Sequence, residues 1–220
     1  MTALLAGIGV FVVSFLLGSI PWGIVFSKLL FKEDVREHGS GNIGTTNMIR
    51  TYGKKVGIAV FVLDFAKGLL SGFLASLVPG FLVSGGMLSA TEAETVGRVL
   101  LGVAFWGCTW GHIFCPWLNF KGGKGIAVAI GCLFITFGPV FALLEIAIFV
   151  VLVPTTKYVS LGSVACALAC PFFALYVFWG TWPAALFCTI GALTVVWAHR
   201  GNIKRLLDGT ERRIGQKKEA

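Results

Sequence analysis

Polar and cationic side chains are concentrated in three stretches of a chain that is otherwise strongly apolar. Residues 36–50 read R-E-H-G-S-G-N-I-G-T-T-N-M-I-R, residues 120–125 read F-K-G-G-K-G, and residues 199–205 read H-R-G-N-I-K-R. Because glycine lacks a Cβ, such loops can turn tightly and point several backbone N–H groups at one anion. Arginine and lysine add charge-assisted hydrogen bonds to phosphate. The three stretches therefore predict a site for phosphorylated substrates.

The first stretch offers the largest set of candidate ligands. Its G-x-G-x-x-G pattern, residues 39–44, follows no predicted strand, which argues against a dinucleotide site. A short helix beginning at Thr45 would direct its N-terminus at the anion and carry Arg50 further along. A capped interfacial loop is the structural alternative. The candidate binding residues here are Gly39, Ser40, Gly41, Asn42, Thr45, Asn47 and Arg50.

The second stretch is typical of a phosphate cradle, because Lys121 and Lys124 surround glycines directly before an apolar run. It lacks the spacing and the Ser/Thr of a Walker A motif. Membrane-surface anchors would explain the lysines but not the glycines. The candidate binding residues are Lys121, Gly122, Gly123, Lys124 and Gly125.

The third stretch supplies candidates for orienting a hydroxyl group. His199 and Asn202 share a face if a helix continues that far, and Arg205 follows. His199 could orient a hydroxyl nucleophile or act as a base near neutral pH. His112, near the cytoplasmic end of the third predicted helix, is the other histidine at a membrane boundary, where a satisfied polar residue is the alternative, and His199 is favoured over it. His38 and Glu145 are weaker candidates, and for Glu145 a packed intramembrane acid is the default.

Covalent and metal-dependent chemistry are both disfavoured. The sequence has no G-x-S-x-G motif, and its six cysteines, Cys108, Cys115, Cys132, Cys166, Cys170 and Cys188, lie inside or at the ends of apolar runs without zinc spacing. We interpret them as packing residues. The inventory favours direct transfer between two anionic substrates held by positive groups, with no cofactor and no metal.

The composition predicts an integral membrane protein. Of the 220 residues, 56% are hydrophobic and 13% charged, and the mean hydropathy is +0.87. A signal peptide is the competing interpretation of the first apolar run, but no basic residue precedes it, and Lys28 and Lys32 follow it. The net charge is +8, and the positive residues lie in loops beside the apolar runs. This placement is typical of cytoplasmic loops, and it favours anionic lipid or an anionic substrate over nucleic acid as the binding partner.

The apolar runs predict an all-α fold with seven transmembrane helices. Gly138-Pro139 divides the run 126–154 into two short helices that form a hairpin. One long tilted helix there would leave six spans and would conflict with Lys157 and Arg200 both lying inside. The predicted spans are 4–30, 56–78, 97–114, the two within 126–154, 164–179 and 182–198.

Charge asymmetry predicts the orientation of these spans: the N-terminus lies outside and the C-terminus in the cytoplasm, with 79–96 as an outer loop. Residues 1–220 form a single domain. Its polar cytoplasmic segments are 31–55, 115–125, 157–163 and 199–220.

Two features of the spans stand out. Residues 18–23, G-S-I-P-W-G, imply a kink or close packing near the cytoplasmic half of the first helix. Asp64 and Lys67 share a helix face, and Asp64 lies about 12 Å from the predicted helix start, too deep for a surface charge. The pair is either a structural contact, the favoured interpretation, or part of the site.

Together, these motifs resemble the bacterial membrane glycerol-3-phosphate acyltransferases that use acyl phosphate, the PlsY family. The resemblance spans nearly the whole chain in order; Thr45 stands where the family often has Ala or Thr, and the outer loop is somewhat long. It is carried by residues 18–21 (G-S-I-P), 39–47 (G-S-G-N-I-G-T-T-N), Arg50, Asp64, 67–68 (K-G), 111–112 (G-H), 120–125 (F-K-G-G-K-G), 158–163 (Y-V-S-L-G-S), His199, Asn202, Arg205 and Glu211.

The resemblance implies transfer of a fatty acyl group from acyl phosphate to the sn-1 hydroxyl of glycerol 3-phosphate. The products are lysophosphatidate and inorganic phosphate, in the first step of bacterial phospholipid synthesis. It also implies neither a metal nor an acyl-enzyme. By motif match the site comprises Ser40, Arg50, Lys124, Gly162, Ser163, His199 and Asn202, with Glu211 bracing the C-terminal segment.

The expected partners are acyl phosphate, glycerol 3-phosphate and membrane lipid, without nucleic acid, for a monomer in the bacterial plasma (inner) membrane with its site at the cytoplasmic face. The proton acceptor stays open between His199 and a substrate phosphate. A transporter for a phosphorylated metabolite is the alternative from another class, but its polar groups would be needed near the midplane. A purely structural subunit leaves the polar stretches unexplained.

Overall fold

The computed structural model describes residues 1–216, and most of them are helical, without a strand in that range. The last four residues of the predicted cytoplasmic segment 199–220 lie outside the described residues. The helices are α1 Thr2–Gly18, α2 Trp22–Phe26, α3 Thr45–Tyr52, α4 Lys54–Ser84, α5 Ala90–Ile113, α6 Ile126–Thr136, α7 Gly138–Thr156, α8 Val159–Val177, α9 Trp182–Ala198 and α10 Arg200–Leu207.

The helices have the length and apolarity of membrane spans. Within the described residues, five stretches can cross a bilayer: Thr2–Phe31, Lys54–Ser84, Ala90–Leu118, Gly138–Thr156 and Val159–Val177. Helices α9 and α10 form a further span, bent by 54°, if they are taken together. The 11 residues of α6 rise about 16 Å, roughly half of the hydrocarbon thickness. Whether the chain has the seven spans predicted therefore depends on α6.

The first span is broken where the sequence predicts a kink, between Gly18 and Trp22. A Cβ on Gly18 would overlap the carbonyl oxygen of Cys108, and one on Gly23 would overlap that of Ile43. The glycines thus allow backbone to pack against backbone on both sides of the break.

Several predicted boundaries were wrong. Helix α4 continues through Pro79 to Ser84, and a capping box between Ser89 and Glu92 starts α5, so the link between them is residues 85–89 rather than 79–96. Helix α8 begins at Val159 and not at 164, which makes most of 157–163 helical. Helices extend this far because backbone N–H and C=O groups in lipid have no water to bond, and a helix satisfies them internally.

The predicted break at Gly138 is confirmed, and the glycine there has a φ of +78°. The two helices it separates are unequal, however. Helix α7 has 19 residues and qualifies as a span alone, whereas α6 has 11. The prediction of two short helices was therefore wrong for α7.

Helices α4 and α6 pack through glycines on both sides. A Cβ on Gly68 would overlap the carbonyl oxygen of Val128, and one on Gly131 would overlap that of Phe65. Side chains such as Phe105, Leu133 and Phe178 fill the main core beside this contact. The close approach fixes where α6 begins, and its N-terminus borders the candidate site.

Candidate functional site

A cavity of about 480 Å³ lies where the three polar stretches meet. Its walls come from the loop before α3, from α3 to α7, from the start of α8, from the bent junction of α9 and α10, and from residues 210–212. The lining residues are Gly39, Ser40, Asn42, Gly44, Thr45, Thr46, Asn47, Arg50, Phe61, Asp64, His112, Lys124, Gly125, Ile126, Ala127, Phe149, Val159, Ser160, Ser163, His199, Asn202, Arg205, Thr210, Glu211 and Arg212. The structure thus brings together segments that lie between Gly39 and Arg212, far apart in the chain.

Asn47 shapes the glycine loop that forms one wall. Its side chain is 1% exposed, and its Nδ2 lies 3.2 Å from the carbonyl oxygen of Val35, 3.1 Å from that of His38 and 2.8 Å from that of Asn42. Its Oδ1 accepts the backbone N–H of Ser40 at 2.8 Å. Asn47 was predicted as a substrate ligand, but these bonds occupy its amide and make it the support of the loop.

Two helix N-termini open onto the cavity. Helix α3 begins at Thr45, as predicted, and α6 at Ile126; among residues 1–216 no side chain caps either end. The N–H groups of a first helical turn have no acceptor within the helix, and the helix dipole adds partial positive charge there. Both ends can therefore bind phosphate oxygens.

The charged side chains give the cavity an excess of positive charge. Arg205 Nε lies 2.7 Å from Oε2 of Glu211, which compensates it. Within residues 1–216, no carboxylate lies within ion-pair distance of Arg50, Lys124 or Arg212. These side chains and the helix N-termini can together hold more than one phosphate.

Burial lowers the pKa of Lys124 to about 8. The positive charges of Arg205 and Arg50 act in the same direction, and the Glu211 carboxylate opposes them. A bound phosphate would stabilise the charged form of this ammonium. The lysine is thus positive below about pH 8 and loses that charge in the empty site above it.

Glu211 connects the C-terminal segment to α8 and α10. Its Oε1 accepts the Ser160 hydroxyl and the Asn202 amide, each at 2.7 Å, and its Oε2 accepts Nε of Arg205 at 2.7 Å. Burial alone would raise the pKa of this carboxyl, but the three hydrogen bonds outweigh it and lower the pKa. The contacts are those of the brace expected for Glu211, and they leave Oδ1 of Asn202 as an acceptor toward the cavity.

His199 lies at the bend between α9 and α10, where its side chain is buried. Its Nδ1 is 2.8 Å from the carbonyl oxygen of Val195. A carbonyl can only accept, so Nδ1 carries the proton of the neutral ring and Nε2 is left with a lone pair. His199 can therefore accept a proton or a hydrogen bond at Nε2.

Some predicted site residues lie outside the cavity walls. The N–H groups of Gly122 and Gly123 donate to the carbonyl oxygens of Ile113 and His112, each at 3.0 Å, so these amides are not free for an anion. Lys121 is exposed, and Gly162 is a helix contact whose Cβ would press on Val153. The residues concerned are Gly41, Lys121, Gly122, Gly123 and Gly162.

Other lining residues were not predicted as ligands. Ser160 and His112 stood in recognised motifs, so their neighbours in the sequence were a signal, whereas only the basic character of the tail pointed to Arg212. Of the weaker candidates, His38 pairs with Glu33 at 3.2 Å, and Glu145 lines a separate, smaller cavity. The described cysteines are all buried and free.

The fold and the cavity define an integral membrane protein with a cavity lined by several cationic side chains. A family model described as glycerol-3-phosphate acyltransferase matches residues 8–209. The chain therefore belongs to the glycerol-3-phosphate acyltransferase family, whose members are membrane enzymes of phospholipid synthesis.

Individual relatives extend over the whole chain. The glycerol-3-phosphate acyltransferase of Thermosynechococcus vestitus is 38% identical over 214 residues, 97% of each chain. That of Clostridioides difficile is 40% identical over 212 residues, 94% of this chain and 95% of the relative.

Solved structures show the same architecture. The crystal structure of PlsY (YgiH), an integral membrane glycerol 3-phosphate acyltransferase, in its glycerol 3-phosphate form has a TM-score of 0.78 and 33% identity, and covers 98% of this chain and 96% of its own. The lysophosphatidic acid form has a TM-score of 0.76 and 32% identity, and covers 95% of each chain.

Proposed function

We propose that this acyltransferase moves a fatty acyl group from acyl phosphate to the sn-1 hydroxyl of glycerol 3-phosphate, releasing lysophosphatidate and inorganic phosphate. The observation that carries the proposal is the convergence of Arg50, Lys124 and the N-termini of α3 and α6 on one cavity. A site for two phosphorylated substrates needs this many positive groups. The related PlsY forms are described with glycerol 3-phosphate and with lysophosphatidic acid, which are the acceptor and the product of this reaction.

The reaction is direct transfer without an acyl-enzyme. The acceptor hydroxyl oxygen forms a bond to the acyl carbonyl carbon, and the bond from that carbon to the phosphate oxygen breaks. The hydroxyl proton passes either to the departing phosphate or to Nε2 of His199, which has the free lone pair. Ser40 and Asn202 bind and orient the substrates, and proximity supplies much of the rate.

The acyl chain leaves the polar part of the cavity over an apolar wall. Phe61, Ile126 and Phe149 belong to that wall, together with Ala127 and Val159. These side chains lie on α4, α6, α7 and α8. The phosphate thus stays among the cations while the chain extends between helices toward lipid.

The membrane arrangement that we propose has seven spans, the N-terminus outside and the C-terminus in the cytoplasm of a bacterial plasma membrane. Lys28, Lys32, Lys157 and Arg200 then lie on the cytoplasmic side, with the cavity. The chain acts as a monomer, and α6 with α7 crosses and returns.

Labelling of introduced cysteines tests this arrangement. The native cysteines are buried, so single cysteines at Met87 and at Val140 can be probed with an impermeant maleimide in intact cells. Seven spans predict labelling at both positions. Labelling at Met87 alone would show that α6 does not cross.

The function is tested by phosphate release from acyl phosphate with and without glycerol 3-phosphate, with acyl-CoA as a parallel donor. Release that requires glycerol 3-phosphate and yields lysophosphatidate is expected, and Ser40→Ala and Lys124→Ala abolish it. Lys121→Ala is the matched control, because this lysine lies in the same loop but outside the cavity. Binding of glycerol 3-phosphate without turnover by folded protein would favour a transporter.

The role of His199 is tested separately. If Nε2 is the base, His199→Ala lowers the turnover rate by about a hundredfold or more. A loss below about tenfold would assign the proton to the departing phosphate.

A further inference from the structure

A cluster of buried polar side chains lies against the cavity and takes no part in the mechanism above. Asp64 and Lys67 of α4 are 2% and 4% exposed, and His112 of α5 is 5% exposed. Asp64 and His112 line the cavity, whereas Lys67 lies behind them. The cluster therefore connects the protein interior to the site.

Lys67 fixes the proton on the His112 ring. Its ammonium nitrogen lies 2.8 Å from the carbonyl oxygen of Ile20, 2.8 Å from Oδ1 of Asp64 and 3.0 Å from Nδ1 of His112. An ammonium group has three protons and no lone pair, so Nδ1 of His112 can only be the acceptor. The neutral ring must then carry its proton on Nε2.

The protonated edge of the ring faces the loop that precedes α6. A Cβ on Gly123 would meet Nε2 of His112, so this edge lies directly beside the loop, next to Lys124. The backbone carbonyl of His112 also accepts the N–H of Gly123 at 3.0 Å. Within residues 1–216, Nε2 has no hydrogen-bond acceptor, although the other edge is fully engaged.

We propose that His112 is a substrate-binding residue, whose Nε2–H donates a hydrogen bond to an oxygen of the phosphoryl group held by Lys124. The identity of the phosphorylated ligand rests on the function proposed above. That ligand is either acyl phosphate, the acyl donor, or glycerol 3-phosphate, the acyl acceptor. Lys67 is its positioning residue, because it holds the ring in the donor tautomer. Asp64 forms an ion pair with Lys67 and so compensates the buried positive charge beside the ring.

The two cavity histidines therefore have opposite roles. Val195 leaves Nε2 of His199 with a lone pair, whereas Lys67 leaves Nε2 of His112 with a proton. One ring can accept from a hydroxyl, and the other can donate to an oxygen that carries negative charge. A direct acyl transfer between two phosphorylated molecules can use both kinds of group.

Two substitutions separate the donor from the packing role of His112. Glutamine can place an amide N–H near the position of Nε2, whereas asparagine reaches only the position of Nδ1. We expect His112→Asn to lower kcat/KM by about ten- to a hundredfold, mainly through a higher KM for one phosphorylated substrate, and His112→Gln to recover most of it. His38→Gln, at a histidine outside the cavity, is the control.

The substrate whose KM rises identifies the phosphate that His112 contacts. Equal losses in His112→Asn and His112→Gln, or a loss below about twofold in His112→Asn, would overturn the donor role. Folding of each variant is checked by its elution and thermal unfolding in detergent.

A spectroscopic measurement on the unsubstituted, full-length protein is independent of turnover. With ¹⁵N-labelled histidine, we expect an unprotonated Nδ1 and a protonated Nε2 for His112, and a shift of the Nε2 resonance when inorganic phosphate, glycerol 3-phosphate or an unreactive acyl phosphonate binds. A protonated Nδ1, or an Nε2 resonance that none of these ligands moves, would overturn the proposal. Failure of acyl transfer with a normal Nε2 shift would overturn the proposed donor substrate and leave the His112 contact standing.

Discussion

Oδ1 of Asp64 lies 2.8 Å from Nζ of Lys67, one helical turn further along α4, and both side chains are almost fully buried. From the sequence the pair was either a structural contact or part of the site. The structure supports both interpretations. Asp64 lines the cavity, whereas Lys67 forms structural contacts with Ile20 and His112. The ion pair thus holds the broken first span and the site in one arrangement.

Breaking this pair should be far worse than removing it. Lys67→Met leaves the Asp64 carboxylate buried without its partner, and we expect a loss of about 3–5 kcal/mol in the free energy of unfolding. The double variant Asp64→Asn/Lys67→Met, which buries no net charge, should lose clearly less. Thermal unfolding of the detergent-solubilised proteins measures both. A double variant as unstable as the single one would contradict a charge-pairing role.

Acyl transfer should weaken at alkaline pH because of Lys124. Burial holds the pKa of this lysine at about 8, so the empty site loses a positive charge as the pH rises through that value. We expect kcat/KM for the phosphorylated substrates to fall above about pH 8, while kcat changes less because bound phosphate keeps the lysine protonated.

The matched variant for this profile is Lys124→Arg, since arginine stays charged throughout the range. It should remove the alkaline decline, whatever its effect on the maximal rate. A decline near pH 8 that persists in Lys124→Arg would show that another group causes it. Lys121→Arg, outside the cavity, should leave the profile unchanged.

Glu211 should matter through its hydrogen bonds. Glu211→Gln keeps the shape but removes the negative charge that accepts from Ser160, Asn202 and Arg205. We expect a loss of about 1–3 kcal/mol in stability and a lower kcat/KM, because the C-terminal segment and Asn202 lose their support. Asp208→Asn is the control, as this exposed carboxylate forms no ion pair within residues 1–216. Similar effects of both substitutions would contradict a specific brace.

Close packing of α4 on α6 should be needed for the site to form. Gly68→Ala places a methyl group against the carbonyl of Val128, which must move α6 and with it the first-turn amides beside Lys124. We expect a loss of about 1–3 kcal/mol in stability and a raised KM for phosphorylated substrates. Unfolding temperature and steady-state kinetics measure the two effects.

The control for this substitution lies in the same helix. A Cβ on Gly80 would meet no atom of residues 1–216 within 4 Å, so Gly80→Ala should be neutral or slightly stabilising. If Gly68→Ala behaves like Gly80→Ala, the packing of α4 against α6 does not set the geometry of the site.

The local chemistry of the polar stretches could be predicted from the sequence. The start of a short helix at Thr45, the kink after Gly18 and the break at Gly138 were all predicted, because glycine and proline act on the backbone close to where they stand. Helix ends were less predictable. Pro79 was predicted to end a helix, but the apolar residues that follow it continue α4, since lipid disfavours an open backbone.

The sequence by itself determined an integral membrane protein and predicted a phosphate site that contains Ser40, Arg50, Lys124, His199 and Asn202, residues that line one cavity. These conclusions follow from residue types, short spacings and the resemblance of the motifs to a known family, all of which are contained in the order of residues. Only the tertiary structure decided that Asn47 supports a loop, that Gly122 and Gly123 bond within the protein, and that Lys67 lies against Nδ1 of His112. Each of these depends on a contact of a few ångströms between atoms of different segments, and no spacing along one segment specifies it.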